Sequence, residues 1–242
     1  MNNLPRLAIP SYKRANLISD LTLGFLNRES YPVSKIFIFV ASETERLEYA
    51  KTVKRHLYSQ IIVGVPGLKH QRNFISDYFP EGEVIIQLDD DLQGIKFLDK
   101  NLRFLDLVLK GCAYLEKGGL FGIMPNDDAR CFAEKTTTHL THIVGSFFMY
   151  KNHKDLLINT TEKEDFERCV LYFKRYGSVA RYKGAGVITK YAITTGGLQE
   201  EGRSLRMIQG MNYMLDTYPG FCKRVLKRKG EDIILNWRSI CN

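Results

Sequence analysis

The sequence predicts an α/β fold with a mostly parallel central sheet flanked by helices. Three observations point there. Short runs rich in β-branched and aromatic residues recur along the first half, at Leu7-Ala8-Ile9, Ile36 to Val40, Ile61 to Val65 and Val84 to Leu88. Stretches of helical spacing separate them, the alternation expected of βαβ units. The fourth run opens directly onto Asp89-Asp90-Asp91, where an open parallel sheet places its ligands.

Leu7-Ala8-Ile9 reads as a short buried strand closed by Pro10-Ser11-Tyr12-Lys13-Arg14. Asn16 to Arg28 has helical spacing at Leu17, Leu21, Leu23 and Phe25. Ile36 to Val40 is a second strand, and Ser42-Glu43-Thr44-Glu45 is a cap-like start for a charged helix to about His56. Ile61 to Val65, closed by Pro66-Gly67, is the third strand. Lys69 to Phe79 makes a helix, and Pro80-Glu81-Gly82 turns the chain into the acidic strand. Unbroken apolar runs of this kind suit strands buried on both faces. Downstream, Leu102 to Lys117 predicts an amphipathic helix stopped by Gly118-Gly119, and Leu120 to Met124 a strand. Ile143 to Tyr150 reads as a strand or a strand–turn, and Asp165 to Tyr176 as a helix introduced by Thr161 to Glu164. Val179 to Ile193, a loop from Gly196-Gly197 to Arg203, Met207 to Leu215 and the basic run Lys223 to Lys229 complete the chain. No repeat, low-complexity stretch or long linker interrupts it, so one domain over residues 1–242 is expected.

The 242 residues, 44% hydrophobic and 12% aromatic, suffice for one sizeable core. No stretch approaches the roughly 18 apolar residues of a membrane span, and no secretory signal is visible. Five scattered cysteines (Cys112, Cys131, Cys169, Cys222, Cys241) without a C-x-x-C spacing argue for reduced thiols and a cytoplasmic location. A net charge of +8 suits a polyanionic partner or a small anionic substrate.

The chemistry concentrates at the acidic triplet. Three adjacent carboxylates raise one another's pKa unless a cation sits among them. In an extended chain Asp89 and Asp91 point the same way and would share one hard divalent ion. The plain alternative is a solvated acidic turn; the buried strand leading into it favours a metal and sugar-nucleotide site. Lys69 and Arg72, early on a helix, suit a diphosphate, and Asn73 offers both donor and acceptor to a ribose or base edge. An ordinary solvated lysine is the competing reading for Lys69. His139 and His142 have no third ligand nearby, so they read as core or surface histidines rather than zinc ligands.

Together these segments resemble GT-A-fold glycosyltransferases. Ile9-Pro10-Ser11-Tyr12-Lys13-Arg14 resembles the opening strand–loop that cradles uridine in that family. Asp89-Asp90-Asp91 resembles its DxD motif, and Gly67 to Ile75, containing Arg72-Asn73, resembles its G-x-x-x-x-R-N helix. The match covers about residues 1–95, the nucleotide-sugar half, and leaves 96–242 as the acceptor half. More narrowly, the combination resembles the TET/JBP-associated glycosyltransferases, phage and kinetoplastid relatives thought to act on hydroxymethyl-pyrimidines in DNA. The resemblance implies a UDP-sugar donor, glucose first among them, and Mn2+ or Mg2+ held by Asp91 and Asp89. Pro10, Ser11, Tyr12, Arg14, Lys69, Arg72, Asn73, Asp89 and Asp90 would line the donor site. The expected location is then a cytoplasm, a host's in the case of a phage relative.

Glu164-Asp165 resembles the family's second acidic element, with Asp165 ahead of Glu164 as general base and inversion as the outcome. Acidic residues at a helix N-terminus are also favoured by the dipole alone. The Gly196-Gly197 to Arg203 segment resembles a loop that closes over the diphosphate, with Arg203 stabilising the leaving group. The acceptor implied is 5-hydroxymethylpyrimidine in DNA, approached by Lys223 to Lys229, with Phe147, Phe148 and Tyr182 as aromatics for an extruded base or as core. One departure from the family is the absence of any histidine after His153 to complete the metal's ligands. Alternatives are a glycan, lipid or protein acceptor, nucleotidyl transfer, and a non-catalytic nucleic-acid-binding domain. Nucleotidyl transfer would call for a glycine-rich loop after the first strand, and Ile9 to Arg14 contains no glycine.

Overall fold

A computed structural model describes residues 4–189, 202–227 and 230–236. The first half alternates as expected. Strand β1 (Arg6–Pro10) leads into two short helices, α1 (Ala15–Ile18) and α2 (Thr22–Arg28), then β2 (Ile36–Val40), α3 (Glu43–Thr52), β3 (Gln60–Val63), α4 (Leu68–Tyr78) and β4 (Val84–Leu88). All five residues of β2 are buried, as an Ile-Phe-Ile-Phe-Val run requires. Ser42 caps α3 by accepting the Glu45 N–H at 3.2 Å. Helix α4 starts after Gly67, whose φ of 88° is open only to glycine without strain.

The second half brings β5 (Leu92–Phe97), α5 (Phe104–Leu115), β6 (Leu120–Met124), β7 (Thr136–Thr137), β8 (Phe147–Lys151), α6 (Glu164–Tyr176), β9 (Ala180–Thr189), α7 (Arg203–Thr217), β10 (Cys222–Lys227) and β11 (Gly230–Leu235). The main sheet has nine strands in the order β3-β2-β1-β4-β8-β6-β9-β5, with β7 also paired to β9. The four strands of the first half are all parallel. Antiparallel pairing enters with β8 on β4 and recurs where β8 meets β6 and β5 meets β9. One continuous sheet therefore crosses both halves, with a hydrophobic cluster on each face.

Three local expectations change. The single helix expected over Asn16 to Arg28 breaks at Leu21, whose ψ of -102° is not helical. Residues 92–97, assigned no element from sequence, form β5. The basic run from Lys223, expected to approach DNA phosphates or to be a solvated helix face, lies in a two-stranded hairpin of β10 with β11 as far as it is described. Pairs Arg224–Glu231 (2.5 Å) and Lys227–Asp232 (2.6 Å) cross that hairpin. No helix among the described residues is long and apolar enough to cross a membrane.

Candidate active site

Strand β1 sits between β2 and β4, so the chain leaves it to one side and returns on the other. At such a reversal the loops beyond the strand ends part, and an open α/β sheet forms its ligand crevice there. The loops after β1 and β4 meet at this point. Arg14 Nη1 donates to Asp90 Oδ1 at 2.7 Å and to Asp91 Oδ2 at 3.2 Å. Ser11 Oγ donates to Asp90 Oδ2 at 2.6 Å. With that proton committed, the Tyr49 hydroxyl donates to Ser11 Oγ (2.7 Å) and accepts the Arg14 N–H (2.9 Å). Glu45 accepts the N–H groups of Lys13 and Ala41, both at 2.8 Å, tying the β1 loop to the end of β2. Lys13 adopts φ 55°, and its ammonium lies over the exposed ring of Tyr12. Pro10 is buried as the last residue of β1.

The acidic triplet forms the turn between β4 and β5, not an extended segment. The expectation that Asp89 and Asp91 share an orientation along an extended chain is corrected accordingly. The physical cause is Thr22, fully buried, whose hydroxyl donates to the Asp89 carbonyl (2.7 Å) and accepts the Leu92 N–H (3.0 Å). That clasp holds the turn closed. Asp90 and Asp91 go to Arg14, and Asp89 goes to Arg72.

Arg72 is 1% exposed in its side chain and sits inside the molecule. Its Nη2 donates to Asp89 Oδ1 (3.0 Å) and the Gly145 carbonyl (3.3 Å), its Nη1 to Gln87 (3.2 Å), and its Nε pairs with Glu164 Oε1 (3.0 Å). Glu164 is in turn paired with Arg168, whose guanidinium lies 3.7 Å from the centre of the Phe148 ring. Arg72 lies over the same ring at 5.1 Å. Gly145 is what admits this stack: a Cβ there would stand 2.9 Å from Arg72 Nη2. The expected roles of three residues shift as a result. The charge of Arg72 is compensated by Asp89 and Glu164. Both ends of the Asn73 amide are taken by the backbone of Ile158 (2.9 and 3.0 Å) rather than held out for a ribose. Lys69 donates to the Asn159 carbonyl at 3.1 Å. Phe147, Phe148 and Tyr182 are core, each at most 1% exposed, so none is free to stack on a base.

Electrostatics separates the three aspartates. Burial raises Asp89 and Asp90 above the usual carboxylate range, opposed by Arg72 for the first and Arg14 for the second. Asp91 is pushed up to about 6 by burial and by its two acidic neighbours, which Arg14 only partly offsets. The side chains of Asp89 and Asp91 remain 33% and 21% exposed. The second oxygen of each takes no hydrogen bond from the described residues. Two partly open carboxylates with surplus negative charge fit a hard divalent cation that completes its shell with substrate oxygens and water, as magnesium does. No cluster of three or more potential side-chain ligands exists among the described residues.

The second acidic element divides. Glu164 is 7% exposed in its side chain and clamped between Arg72 and Arg168, so it acts as a buried counter-ion. Asp165 Oδ2 accepts from His142 Nε2 at 2.7 Å, and its other oxygen accepts the Phe166 N–H at 3.0 Å. Burial would raise Asp165, but His142, Arg168 and Lys163 outweigh it and hold the carboxyl well below its ordinary value. His142, expected to be an ordinary core or surface histidine, is thus the partner of Asp165, its ring stacked on Phe166 at 4.3 Å. Its Nδ1 takes no hydrogen bond from the described residues. Gly196-Gly197 and the side chain of Arg203 lie outside the described residues.

Thr22, Glu45, Tyr49, His142, Gly145 and Arg168 were not legible as site residues. Only Arg168 carried a signal, its i,i+4 spacing from Glu164. The others act through partners distant in sequence.

No protein-family model matches the chain, and no curated protein matches it. Solved structures do. Glucosyl-3-phosphoglycerate synthase from Mycobacterium tuberculosis, solved with Mn2+, UDP-glucose and phosphoglyceric acid, is 10% identical with a TM-score of 0.56, over 100% of this chain and 92% of that one. The same enzyme with Mg2+ and UDP gives a TM-score of 0.57 at 10% identity, over the same shares. S. aureus TarS 1-349 is 15% identical over 75% of this chain and 58% of that one, at a TM-score of 0.49. The sheet with its flanking helices is a GT-A glycosyltransferase fold.

Proposed function

We propose that this chain is a metal-dependent glycosyltransferase that moves a sugar from a UDP-sugar to an acceptor hydroxyl. The observation that carries the reading is the meeting of Arg14 with the Asp89-Asp90-Asp91 turn at the point where the sheet order reverses. The likeness to a synthase solved with UDP-glucose and Mn2+ or Mg2+ supports the same donor and metal class. Asp91 and Asp89 would hold the ion, and its chemistry there is to neutralise charge on the diphosphate. Asp90 is different: bonded to Ser11 and Arg14, it fixes the loop geometry around the donor. The uridine would sit against the β1 loop, where the exposed Tyr12 ring offers a stacking surface.

Asp165 keeps its assignment to the acceptor's proton, acting through His142. With Nε2 held by Asp165, the imidazole presents Nδ1 as the accepting atom, the arrangement by which a carboxylate fixes a histidine tautomer. A single displacement with inversion follows, and NMR of the product's anomeric configuration checks it; retention would remove the pair from this role. Glu164 is withdrawn as a base because both of its oxygens face guanidinium groups.

The finer acceptor reading, a hydroxymethylpyrimidine in DNA, rests on the +8 charge and the resemblance of the motifs. The hairpin weakens its electrostatic support, since Arg224 and Lys227 are each paired with an acidic residue of β11. Transfer from labelled UDP-sugars to DNAs carrying cytosine, 5-hydroxymethylcytosine or 5-hydroxymethyluracil decides that point. The whole reading is tested by thermal stability: UDP with manganese should raise Tm where UDP alone does not. Asp91→Asn should abolish that difference while leaving the unliganded Tm within a few degrees. A wild-type chain indifferent to UDP with manganese would sink the reading.

A further inference from the structure

Beside the His142–Asp165 pair lies a cavity of about 320 Å³ whose polar lining among the described residues is His139, Thr141, His142, Arg181 and Lys227. None of these residues is acidic. Lys227 and, behind it, Lys163 share one carboxylate, Asp232, at 2.6 and 2.5 Å. Arg181 has no such partner among the described residues. Its Nη1 donates to the His142 carbonyl at 3.2 Å, and its Nε is buried without any hydrogen bond. No carboxylate of the described residues forms an ion pair with it, and burial pulls its pKa below the ordinary arginine value.

A guanidinium is a planar fork of five donors that matches the oxygens of phosphate or carboxylate. Half-buried, with its Nε fully buried and no anion beside it among the described residues, Arg181 keeps part of the desolvation cost of its charge, which a bound anion would offset. Arg181 also stands on a rigid platform. It lies on β9, paired to Gly122 of β6 on one side and Thr137 of β7 on the other, so its position does not depend on a loop. Apolar Leu140, Phe166, Ile233 and Leu235 line the cavity beside the charge. We infer that this cavity is an anion subsite for the acceptor, in which Arg181 grips a phosphate or carboxylate group and thereby presents an acceptor hydroxyl to His142. The inference rests on the transferase reading for the word acceptor, but not for the anion site itself.

The test uses the full chain and two simple probes, inorganic phosphate and acetate, titrated by calorimetry at constant ionic strength held with chloride. Saturable one-to-one binding is expected, weakened at least tenfold in Arg181→Gln, largely kept in Arg181→Lys and unchanged in Lys54→Gln, an exposed lysine of the other half. Preference for phosphate over acetate would identify a phosphorylated acceptor, and the reverse a carboxylated one. Absence of saturable binding by either probe overturns the inference, as does equal affinity in a folded Arg181→Gln variant. Should that variant not fold, the wild-type Arg181 Nε–H resonance serves instead: it should shift on adding the better-bound probe, and an unmoved signal overturns the inference. A parallel titration with UDP and manganese keeps the two readings apart. Its failure in every variant, with phosphate or acetate still bound, would remove the transferase and leave the anion site.

Discussion

Arg14 and Arg72 flank the same three carboxylates and are held in different ways. Arg14 comes from a loop and keeps 12% of its side chain exposed, facing Asp90 and Asp91 at the rim of the crevice. Arg72 comes from the middle of α4, is 1% exposed, and joins Asp89 to Glu164 beneath Phe148. In the first cluster Asp90 keeps a second donor, Ser11 Oγ, and Asp91 is 21% exposed, so a lost arginine is partly replaced. In the second, Arg72 and Glu164 are closed to solvent and an unpaired charge on either would stay buried, while Asp89 at its outer end still reaches the crevice. The difference teaches that one triplet is tied down at two ends: Asp90 fixes the loop through Ser11 and Arg14, Asp89 ties the turn to the core through Arg72, and Asp89 and Asp91 each keep an oxygen open to the crevice.

The sharpest way to break this contrast is Arg72→Met. It strands Glu164 with Arg168 alone and leaves Asp89 uncompensated, so a loss of about 3–5 kcal/mol is expected, read as a lower denaturation midpoint at unchanged slope. An effect no larger than that of Arg14→Met would erase the distinction. Gly145→Ala probes the same core cluster sterically. A Cβ 2.9 Å from Arg72 Nη2 and 3.2 Å from Glu164 Oε1 forces the pair apart, at about 1–3 kcal/mol as for other overpacked sites. Chemical denaturation at constant pH measures it, and a neutral result would mean that the arginine stack yields easily.

Arg14→Met sharpens the other side. Its stability loss should be smaller than that of Arg72→Met, because Ser11 still donates to Asp90 and Asp91 stays partly open to water, while stabilisation by UDP with manganese falls at least tenfold in apparent affinity. Calorimetric titration beside the unfolding curve would expose the opposite pattern, a large stability loss with donor binding intact.

The smallest effect concerns Asp232, which ties β11 to Lys163 at the start of α6 and to Lys227 in β10. Burial would raise its pKa, but the two lysines hold it down to about 2. A depressed folded pKa adds stability that is complete above the ordinary carboxylate value near 4 and is lost as pH falls toward 2. Hydrogen exchange in the hairpin should therefore quicken over that window, by an amount equivalent to about 1 kcal/mol after screening, and Asp232→Asn should flatten the response. Persistence of the full pH dependence in that variant would place its origin elsewhere.

The first half was legible because its signals are local. Ile36 to Val40 and Val84 to Leu88 announce buried parallel strands by unbroken apolar runs, and the triplet announces itself by following one of them. The second half was less so, since β5 and the β10–β11 hairpin carry mixed, partly exposed residues without a clean period. By itself the sequence determined the order of strands and helices in that first half and the place of the carboxylates at a strand end. Only the tertiary structure decided which partner each charge takes: Arg14 meets Asp90 across 76 positions, Thr22 clasps the turn across 67, and His142 finds Asp165 across 23. Periodicity and spacing encode which face of an element is buried. They do not encode which distant polar group that face will meet, because that choice is made when the elements pack and every buried charge must find its counterpart.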